Sequence, residues 1–355
     1  MSELDLVIKK FNKSFNDDLF IPASEKTFNM DKIPFSSPRL NYMLYGGITI
    51  GKLVEFYGEE GGGKTTTALD FVANAQKYFK GTKKIIYADC ENTLDEKWAK
   101  TLNVDLEDLI LMSPTAQTAE QIFEMLLKII ETGEVGLIVI DSLGVLLSAQ
   151  AYEKTMEEKT YGGISAALTL FSKKAELLCA KTGCILIGIN QVREDMNANY
   201  RALTTPGGKA WKHNCCLRLM FQKGEFIDAE NNILRRSAEA PSGNQVMISI
   251  AKTKMCKPDR RTGFYTLNYT TGIDVIVDTV ETAITYGIIK KSGSWFGFVD
   301  TETGEILFDS NLNELTADAE PFKIQGKNNL IRVLEERVDI FDWLYIEVNN
   351  KLLTS

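Results

Sequence analysis

The chain is organised around the stretch Gly58-Glu59-Glu60-Gly61-Gly62-Gly63-Lys64-Thr65, which has the pattern G-x-x-x-x-G-K-T. A β-favouring run precedes it at residues 53–57, and a helical pattern follows it over residues 66–80. Glycines between a strand and a helix let successive backbone N–H groups turn towards a polyphosphate, and the helix presents its positive dipole end to the same anion. The stretch therefore predicts a nucleoside triphosphate site. The flanking strand and helix argue against a glycine-rich turn that matches by chance.

A metal ion is expected beside the phosphates. Lys64 is predicted to reach the β- and γ-phosphates, and the Thr65 hydroxyl is predicted to ligate Mg²⁺. Residues 137–140 form an apolar run that ends in Asp141, which suits a carboxylate that holds the metal's coordination shell. Many buried strands end in an aspartate, so this pattern gains weight only from the phosphate loop that precedes it.

Composition limits the class of protein. The chain has 355 residues, of which 44% are hydrophobic and 25% charged, which suits a globular protein with one large domain and one or two small ones. The net charge is −8, so any contact with DNA has to come from a local basic surface. One histidine excludes a His-rich metal site, and six cysteines without a CxxC pair indicate reduced thiols. We find no secretory signal or apolar run of membrane length, and we expect a cytoplasmic protein without a membrane partner.

Apolar runs alternate with helical patterns through the middle of the chain. This alternation predicts an α/β fold with a central, mostly parallel sheet covered on both faces. Three later runs are closer together and are expected to extend the sheet as hairpins. The predicted strands are 53–57, 84–88, 109–112, 136–140, 184–189, 216–222, 246–252 and 264–269.

Three segments are predicted. Residues 1–38 would form an N-terminal helix and linker, 39–274 the ATPase-type core, and 275–355 a small α+β domain with a hairpin and a helix at 326–347. The N-terminal helix has an apolar stripe, which either folds back on its own core or docks on a neighbouring subunit.

Two more predicted strands end in polar side chains. Glu91 follows the run 84–88, and Asn190-Gln191 follows the run 184–189. Because carboxyl ends of neighbouring parallel strands meet in one crevice, these groups are expected near the phosphates. Glu91 could then activate the attacking water, and the amide could hydrogen-bond the γ-phosphate. The alternatives are an ordinary loop acid and an ordinary polar strand end.

Two long polar segments, about 153–163 and 192–209, follow these strands. Long segments without regular structure inside compact domains are usually functional. Their cations can neutralise phosphates and their apolar tips can insert between bases, although solvated loops remain the alternative. Lys252 and Lys254 share one face of the run 246–252 and its end, where they either reach phosphate across a subunit boundary or form a solvated edge.

In this order, these pieces resemble the bacterial RecA family of strand-exchange recombinases, including its phage-like relatives, over roughly residues 40 to 300. The stretches that carry the resemblance are 57–66, 89–95, 140–142, 189–193, 204–210 and 251–254. The resemblance implies a RecA-type P-loop ATPase core and an ATP-dependent helical filament on single-stranded DNA. It also implies pairing with a homologous duplex, strand exchange in DNA repair, and ATP bound between adjacent subunits. The protein would then act in a bacterial or phage-infected bacterial cell, together with single-strand-binding and loader proteins.

The resemblance also implies roles for individual residues. Glu91 would activate water, Gln191 would sense the γ-phosphate, and the pair Lys252 and Lys254 would reach the neighbour's ATP. Trp98 takes the place of a Tyr usual in the family. The implied nucleotide contacts are Gly58, Glu59, Glu60, Gly61, Gly62, Gly63, Lys64, Thr65, Thr66, Asp95, Trp98 and Asp141, with Mg²⁺ on Thr65 and Asp141. The implied DNA contacts are Lys159, Tyr161, Gly162, Gly163, Arg193, Met196, Arg201, Gly207, Gly208 and Lys209.

Some positions depart from the family pattern. His213 stands where bacterial members carry a Phe, and Thr205-Pro206 replaces a Thr-Thr pair. Two alternatives stay open from the sequence: a RecA-like recombination mediator that exchanges no strands, and a hexameric helicase-type ATPase on the same core. A complete set of predicted catalytic residues argues against the first, and the paired lysines, in place of an arginine finger, argue against the second.

Overall fold

We analysed a computed structural model that describes residues 2–15, 20, 31–154, 163–194, 203–235 and 237–354. The chain divides into two compact units, Met1–Asp31 and Lys32–Ser355. In the first unit, residues 3–15 form the predicted helix, on which Leu4, Val7 and Phe11 are exposed. The proposed boundaries at residues 38 and 274 stay predictions.

The helices and strands below are numbered in chain order within the described residues. The helices are α1 (Glu3–Phe15), α2 (Pro38–Met43), α3 (Lys64–Phe79), α4 (Glu96–Thr101), α5 (Ala119–Glu131), α6 (Ala149–Tyr152), α7 (Ser165–Thr182), α8 (Gly208–Asn214), α9 (Val275–Tyr286), α10 (Lys327–Glu336) and α11 (Val338–Thr354). The strands of the first half are β1 (Lys32–Ile33), β2 (Ile48–Thr49), β3 (Leu53–Gly58), β4 (Lys84–Asp89), β5 (Leu109–Met112), β6 (Val135–Asp141) and β7 (Ile185–Gln191). Those of the second half are β8 (Arg193–Glu194), β9 (Leu203–Thr204), β10 (Leu217–Ile227), β11 (Ile233–Leu234), β12 (Gly243–Thr253), β13 (Thr262–Asn268), β14 (Gly272–Ile273), β15 (Ile289–Ser292), β16 (Trp295–Phe298) and β17 (Ile324–Gln325).

The central sheet has ten strands within the described residues, in the order β14-β13-β12-β10-β3-β7-β6-β4-β5, with β11 paired to β10. The strands from β10 to β5 run parallel, and β11 to β14 join antiparallel. The predicted α/β class and mostly parallel sheet are therefore confirmed, and the three later runs do extend this sheet. β3 lies in the middle, so the phosphate loop that follows it has strands on both sides.

Both faces of the sheet are covered. α2, α3 and α4 pack on one face, and α5, α7 and α8 pack on the other. Every residue of β6 is buried, as expected for a parallel strand between two helical layers. On the second face Phe123 of α5 stacks on Phe171 of α7, with ring centroids 4.3 Å apart. Each such fully buried side chain contributes about 1.5–3 kcal/mol relative to exposure, so the two layers hold the strand ends in place.

The C-terminal part has its own hydrophobic cluster, formed by α9, α10, α11 and the antiparallel strands β15 to β17. Phe298 stacks on Phe322 and meets Trp343 edge-on. The prediction of one helix over 326–347 is wrong, because the chain leaves the helical conformation at Arg337 and forms two helices, α10 and α11. The Arg337 guanidinium donates to Asp339 and to a loop carbonyl of Asn311, which stabilises the break. Among the described helices, none is both long and apolar enough to cross a bilayer.

A strap at residues 34–39 connects α3 with α9 through two buried carboxyl groups. Asp70 of α3 accepts a hydrogen bond from the Ser36 N–H at 3.1 Å. Asp278 of α9 accepts hydrogen bonds from the Ser37 hydroxyl and from the Arg39 N–H. Burial raises the pKa of Asp70 to about 6 and the pKa of Asp278 to about 7. The strap is thus held by groups whose charge changes near neutral pH.

Candidate active site at the ends of the parallel strands

The phosphate loop joins β3 to α3, and close packing requires glycine at two of its positions, Gly58 and Gly63. A Cβ on Gly58 would lie 2.0 Å from the Phe221 carbonyl oxygen of the neighbouring strand. Gly63 has a φ of +91° and caps the start of α3 in the left-handed conformation. The predicted strand, loop and helix are therefore present, and α3 begins directly after the loop.

Lys64 starts α3 and is buried. Its ammonium group donates to the carbonyl oxygens of Gly58 at 3.0 Å and Glu59 at 2.6 Å. Burial lowers the pKa of Lys64, and the nearby carboxylates of Asp141 and Glu91 oppose that shift. The cation is thus held inside the loop by backbone acceptors and lies near two acids.

Asp141 ends β6 beside the same loop. One of its carboxylate oxygens, Oδ2, accepts from the Thr65 hydroxyl at 2.8 Å and from the Tyr87 hydroxyl at 2.7 Å. Burial raises the pKa of Asp141, while these two hydrogen bonds lower it. A carboxylate and a hydroxyl at the start of a phosphate-binding helix are hard oxygen donors, which fit Mg²⁺ held together with phosphate oxygens.

Glu91 lies in the turn after β4. Its Oε1 accepts from the Ser142 hydroxyl at 2.5 Å. Asp89 holds the turn by accepting from the N–H groups of Thr93 and Leu94, and the Cys90 N–H donates to the Asp141 carbonyl at 2.7 Å. Glu91 is therefore fixed next to the end of β6, as the parallel arrangement of the strands predicts.

Gln191 ends β7, directly opposite Gly58 of β3 in the sheet register. Its side chain is exposed, whereas that of the preceding Asn190 is fully buried. Since successive side chains of a strand point to opposite faces, the two amides face different surroundings. Gln191 lines the cleft above the phosphate loop, and Asn190 lies behind it.

These groups meet in one cleft of about 340 Å³. It is lined by Glu60, Gly61, Gly62, Gly63, Lys64, Thr65, Thr66, Glu91, Asp141, Ser142, Ile189, Gln191, Lys223, Asn244, Leu267 and Tyr269. The sequence reasoning missed Lys223, Asn244 and Tyr269, and it assigned no role to Ser142, which lies in the stretch 140–142. Tyr269 is 42% exposed and donates to the Asn244 amide oxygen at 2.7 Å, which leaves its ring at the rim of the cleft.

Asp95 and Trp98, which were expected to contact adenine, do not line this cleft. Asp95 caps α4 by accepting from the N–H groups of Lys97 at 2.8 Å and Trp98 at 3.1 Å. The Trp98 indole N–H donates to the Thr66 hydroxyl of α3 at 3.3 Å. Trp98 is thus tied to the helix of the phosphate loop, and a contact with adenine stays a prediction.

The paired lysines also lie apart from the cleft of their own chain. Lys252 of β12 donates to the carbonyl oxygens of Lys212 at 2.9 Å and His213 at 2.5 Å, at the C-terminal end of α8. Burial and then the neighbouring Lys254 lower the pKa of Lys252. Lys254 is exposed just beyond the strand. Action on the ATP of a neighbouring subunit stays a prediction.

The predicted DNA-binding loops are described only at their bases. Arg193 of β8 pairs with Thr204 of β9, so a short antiparallel ribbon closes the second loop. Gly207 caps α8 with a φ of +98°, and a Cβ there would lie 2.3 Å from Leu168. Gly163, Arg193 and Lys209 are exposed and Gly208 is partly exposed. The other predicted contacts, Lys159, Tyr161, Gly162, Met196 and Arg201, lie outside the described residues.

Comparison with known proteins gives a consistent result. The family model described as RecA N-terminal domain matches residues 2–274. The proteins named Protein RecA from Ureaplasma parvum serovar 3 and Thermus thermophilus are 33% identical over 307 residues and 32% identical over 349 residues. These matches cover 86% and 97% of this chain, and 88% and 93% of the respective relatives. Protein RecA of Ruminococcus albus is 28% identical over 355 residues, which are 99% of this chain and 80% of the relative.

The family match spans the phosphate loop, the cleft and the whole central sheet, and the three relatives match over 80 to 93% of their own length. The chain therefore belongs to the RecA family, whose members act on DNA and assemble into filaments, and it is a DNA-dependent ATPase of homologous recombination and DNA repair that works by ATP-dependent strand exchange.

Proposed function

We propose that this chain binds ATP and Mg²⁺ in the cleft at the strand ends, and that it hydrolyses the γ-phosphate bond when it is assembled on single-stranded DNA. One observation carries the proposal. Four different parallel strands deliver the side chains of ATP chemistry to the same cleft: Lys64, Thr65, Glu91, Asp141 and Gln191. Convergence at the carboxyl ends of parallel strands is the usual position for a nucleotide in such a sheet.

The loop and the start of α3 would hold the phosphates. The Lys64 ammonium group, which donates to two loop carbonyls, can redirect its donors to the β- and γ-phosphate oxygens. Thr65 and Asp141 would hold Mg²⁺, which neutralises charge on those oxygens when bound. The exposed ring of Tyr269 offers the base a surface for stacking.

Hydrolysis needs a positioned water and a group that responds to the γ-phosphate. The Glu91 carboxylate would orient or deprotonate that water, and the hydroxyl of Ser142 keeps the carboxylate in one orientation. The Gln191 amide, exposed in the cleft, would donate to a γ-phosphate oxygen and report its presence to the second loop. Trp98, whose indole N–H donates to the Thr66 hydroxyl, would contact adenine together with Asp95.

The remaining groups would act in the filament. Lys252 and Lys254 would contact the ATP of the adjacent subunit, and α1 would dock its apolar face on that subunit. The two loops, at about 153–163 and 192–209, would bind DNA. Arg193 and Lys209 lie at the base of the second loop. The three segments 1–38, 39–274 and 275–355 would then serve docking, catalysis and duplex capture. Single-strand-binding and loader proteins are the expected helpers in the bacterial or phage-infected cell.

The test compares two carboxamide substitutions. Glu91→Gln should retain binding of ATP and DNA, but its hydrolysis rate should fall about 10²- to 10⁴-fold, the usual contribution of a positioned general base. Glu107→Gln is the matched control, because Glu107 is an exposed acid before the start of β5, at the amino ends of the parallel strands, whereas the cleft lies at their carboxyl ends. Unchanged hydrolysis in Glu91→Gln would remove Glu91 from the proposed role.

A further inference from the structure

A buried pair of hydroxyl groups lies beneath the phosphate loop. Thr67, in the first turn of α3, and Tyr265 of β13 are both fully buried. Their hydroxyl oxygens are 2.9 Å apart, and the Thr67 Oγ1 also lies 2.8 Å from the carbonyl oxygen of Gly63. Burial of a hydroxyl is unfavourable unless it forms hydrogen bonds. The two side chains and the loop carbonyl satisfy this need as one connected polar group.

The hydrogen bonds of this group run in one direction. The Gly63 carbonyl oxygen can only accept, so Thr67 donates its single hydroxyl hydrogen to it. Tyr265 must then donate its own hydrogen to the Thr67 oxygen. Burial raises the pKa of the Tyr265 hydroxyl, so this hydrogen is retained near neutral pH. Because hydrogen bonds in a chain polarise one another, Tyr265 strengthens the donation from Thr67 to Gly63.

The Gly63 carbonyl belongs to the peptide that joins the phosphate loop to Lys64. It accepts from the Thr67 N–H at 2.9 Å as well as from the Thr67 hydroxyl. In a planar trans peptide the C=O and the N–H point in opposite directions. Since the carbonyl is directed into α3, the Lys64 N–H must point towards the N-terminal end of the helix, where an anion is bound most favourably.

The packing beneath Gly63 leaves this peptide little freedom. A Cβ at Gly63 would lie 2.9 Å from both methyl carbons of Val246 and 3.4 Å from the Tyr265 hydroxyl. Val246 of β12 and Tyr265 pair in the sheet register, so two adjacent strands support the same point of the loop. Four residues after Tyr265 the chain reaches Tyr269, which lines the cleft. The segment 265–269 therefore supports the phosphate loop at one end and borders the cleft at the other.

We propose that Thr67 and Tyr265 are positioning residues, which hold the Gly63–Lys64 peptide so that its N–H is directed at the phosphates of a bound nucleotide. The inference rests on the proposed function, since it needs a nucleotide in the cleft. Neither side chain is among the residues that line the cleft, so both act through the backbone of the loop. Their removal should weaken the binding of phosphate groups and leave the contact with the base unchanged.

Three variants separate positioning from stability. Thr67→Val keeps the branched shape of the side chain but leaves the Tyr265 hydroxyl buried without its acceptor, which is unfavourable. Tyr265→Phe removes the donor to Thr67 and leaves the bond from Thr67 to Gly63. The double variant removes both hydroxyls, and replacing both partners by apolar groups of the same shape can be nearly neutral. Its Tm should therefore recover towards that of the wild type, although the loop carbonyl still lacks its side-chain donor.

The measurement is the dissociation constant of ATP, of ADP and of adenosine, which has the base but no phosphates. Each is obtained by displacement of a fluorescent ATP analogue. In Thr67→Val and in the double variant, the affinity for ATP and ADP should fall about five- to ten-fold, the size of one weakened hydrogen bond. The affinity for adenosine should match that of the wild type. Tyr265→Phe should show a smaller loss, because the bond from Thr67 to Gly63 remains.

Two further variants serve as controls. Thr67→Ser keeps the hydroxyl and should keep the wild-type affinity for ATP. Thr279→Val removes a buried hydroxyl of the same kind, because Thr279 of α9 donates to the carbonyl oxygen of Val275, four residues before it, at 2.6 Å. This change should lower the Tm and leave the affinity for ATP as in the wild type.

The outcomes are distinguishable. If Thr67→Val fails to fold, the double variant decides, since it leaves no hydroxyl of the pair unpaired. Wild-type affinity of the double variant for ATP and ADP would overturn the inference alone. An equal loss of affinity for adenosine would also overturn it, because a general disturbance of the cleft would then explain the result. A wild type that binds no ATP would overturn the proposed function, and the inference with it.

Discussion

The Ser142 hydroxyl donates to the Glu91 carboxylate across 2.5 Å, and so connects the ends of two neighbouring parallel strands. Ser142 directly follows Asp141, the carboxylate proposed to hold the metal. The residue proposed to activate water and the residue proposed to bind Mg²⁺ are therefore positioned by one short segment of chain. Loss of the Ser142 hydroxyl should disturb the orientation of Glu91 and leave Asp141 in place to bind Mg²⁺.

Ser142→Ala should lower kcat by about ten-fold, because Glu91 loses the donor that orients it, a loss of roughly one hydrogen bond to a charged group. The KM for ATP should change little, since Thr65 and Asp141 are intact. Steady-state hydrolysis of ATP in the presence of single-stranded DNA measures both quantities. Ser148→Ala, which removes the cap of the short helix α6, is the matched control. A rise in KM with kcat unchanged would contradict this account of Ser142.

Lys64→Ala should abolish ATP binding and, with it, filament activity, because the loop loses the cation proposed to meet the phosphates. A fluorescent ATP analogue measures the binding, and a strand-exchange assay measures the activity. Lys77→Ala is the control, since Lys77 is an exposed lysine in the last turn of the same helix. Normal strand exchange by Lys64→Ala would remove the phosphate loop from the mechanism.

Lys252→Ala combined with Lys254→Ala should eliminate DNA-stimulated hydrolysis while the free subunit still binds nucleotide. Neither lysine lines the cleft of its own chain, which motivates this prediction. Mixing this variant with Glu91→Gln should restore part of the activity, because some interfaces then combine an intact glutamate with intact lysines. Equal loss of nucleotide binding and hydrolysis, with no recovery on mixing, would place the lysines elsewhere.

Stability should fall as the pH rises from about 4 to about 7. The folded pKa values of Asp70 and Asp278, about 6 and about 7, lie above the ordinary value of 3.8. Groups with raised folded pKa values contribute stability that is complete below the unfolded pKa and is lost as the pH passes the folded pKa. The total change is on the order of a few kcal/mol for two fully buried carboxyls. Thermal unfolding at several pH values measures it.

The matched variants for the pH effect are Asp70→Asn and Asp278→Asn, which keep an acceptor for the strap N–H groups but carry no charge. Each should flatten the dependence of Tm on pH. Asp318→Asn, at an exposed aspartate, should leave the dependence as in the wild type. If both strap variants retain the full slope, the two buried carboxyls are not its source.

The sequence predicted the local part of the site and missed the part built by distant strands. The phosphate loop is contiguous, and Asp141, Glu91 and Gln191 each end an apolar run, so the geometry of a parallel sheet brings them together. Asn244 and Tyr269 reach the cleft only because β10 pairs with β3, and β12 and β13 then add antiparallel to it. No spacing in the chain encodes that order of strands.

The contacts of the strap could not be predicted from the sequence either. Residues 34–39 look like a proline-containing linker, and the carboxyls that hold them are far along the chain. Asp70 is 34 residues from Ser36, and Asp278 is 241 residues from Ser37. A buried carboxyl is indistinguishable from an exposed one in a single sequence, because its burial depends on which helices pack together. The break at Arg337 has the same cause, since its partner Asn311 lies in another loop.

The most direct test of the central claim is the rate of ATP hydrolysis with and without single-stranded DNA, at low and at moderate salt. The account predicts strong stimulation by DNA that weakens as salt rises, because cations on the loops must neutralise phosphates. Hydrolysis that is equally fast without DNA, at both salt concentrations, would contradict it and would favour a ring-type ATPase. ATP binding without any hydrolysis would also contradict it and would favour a mediator.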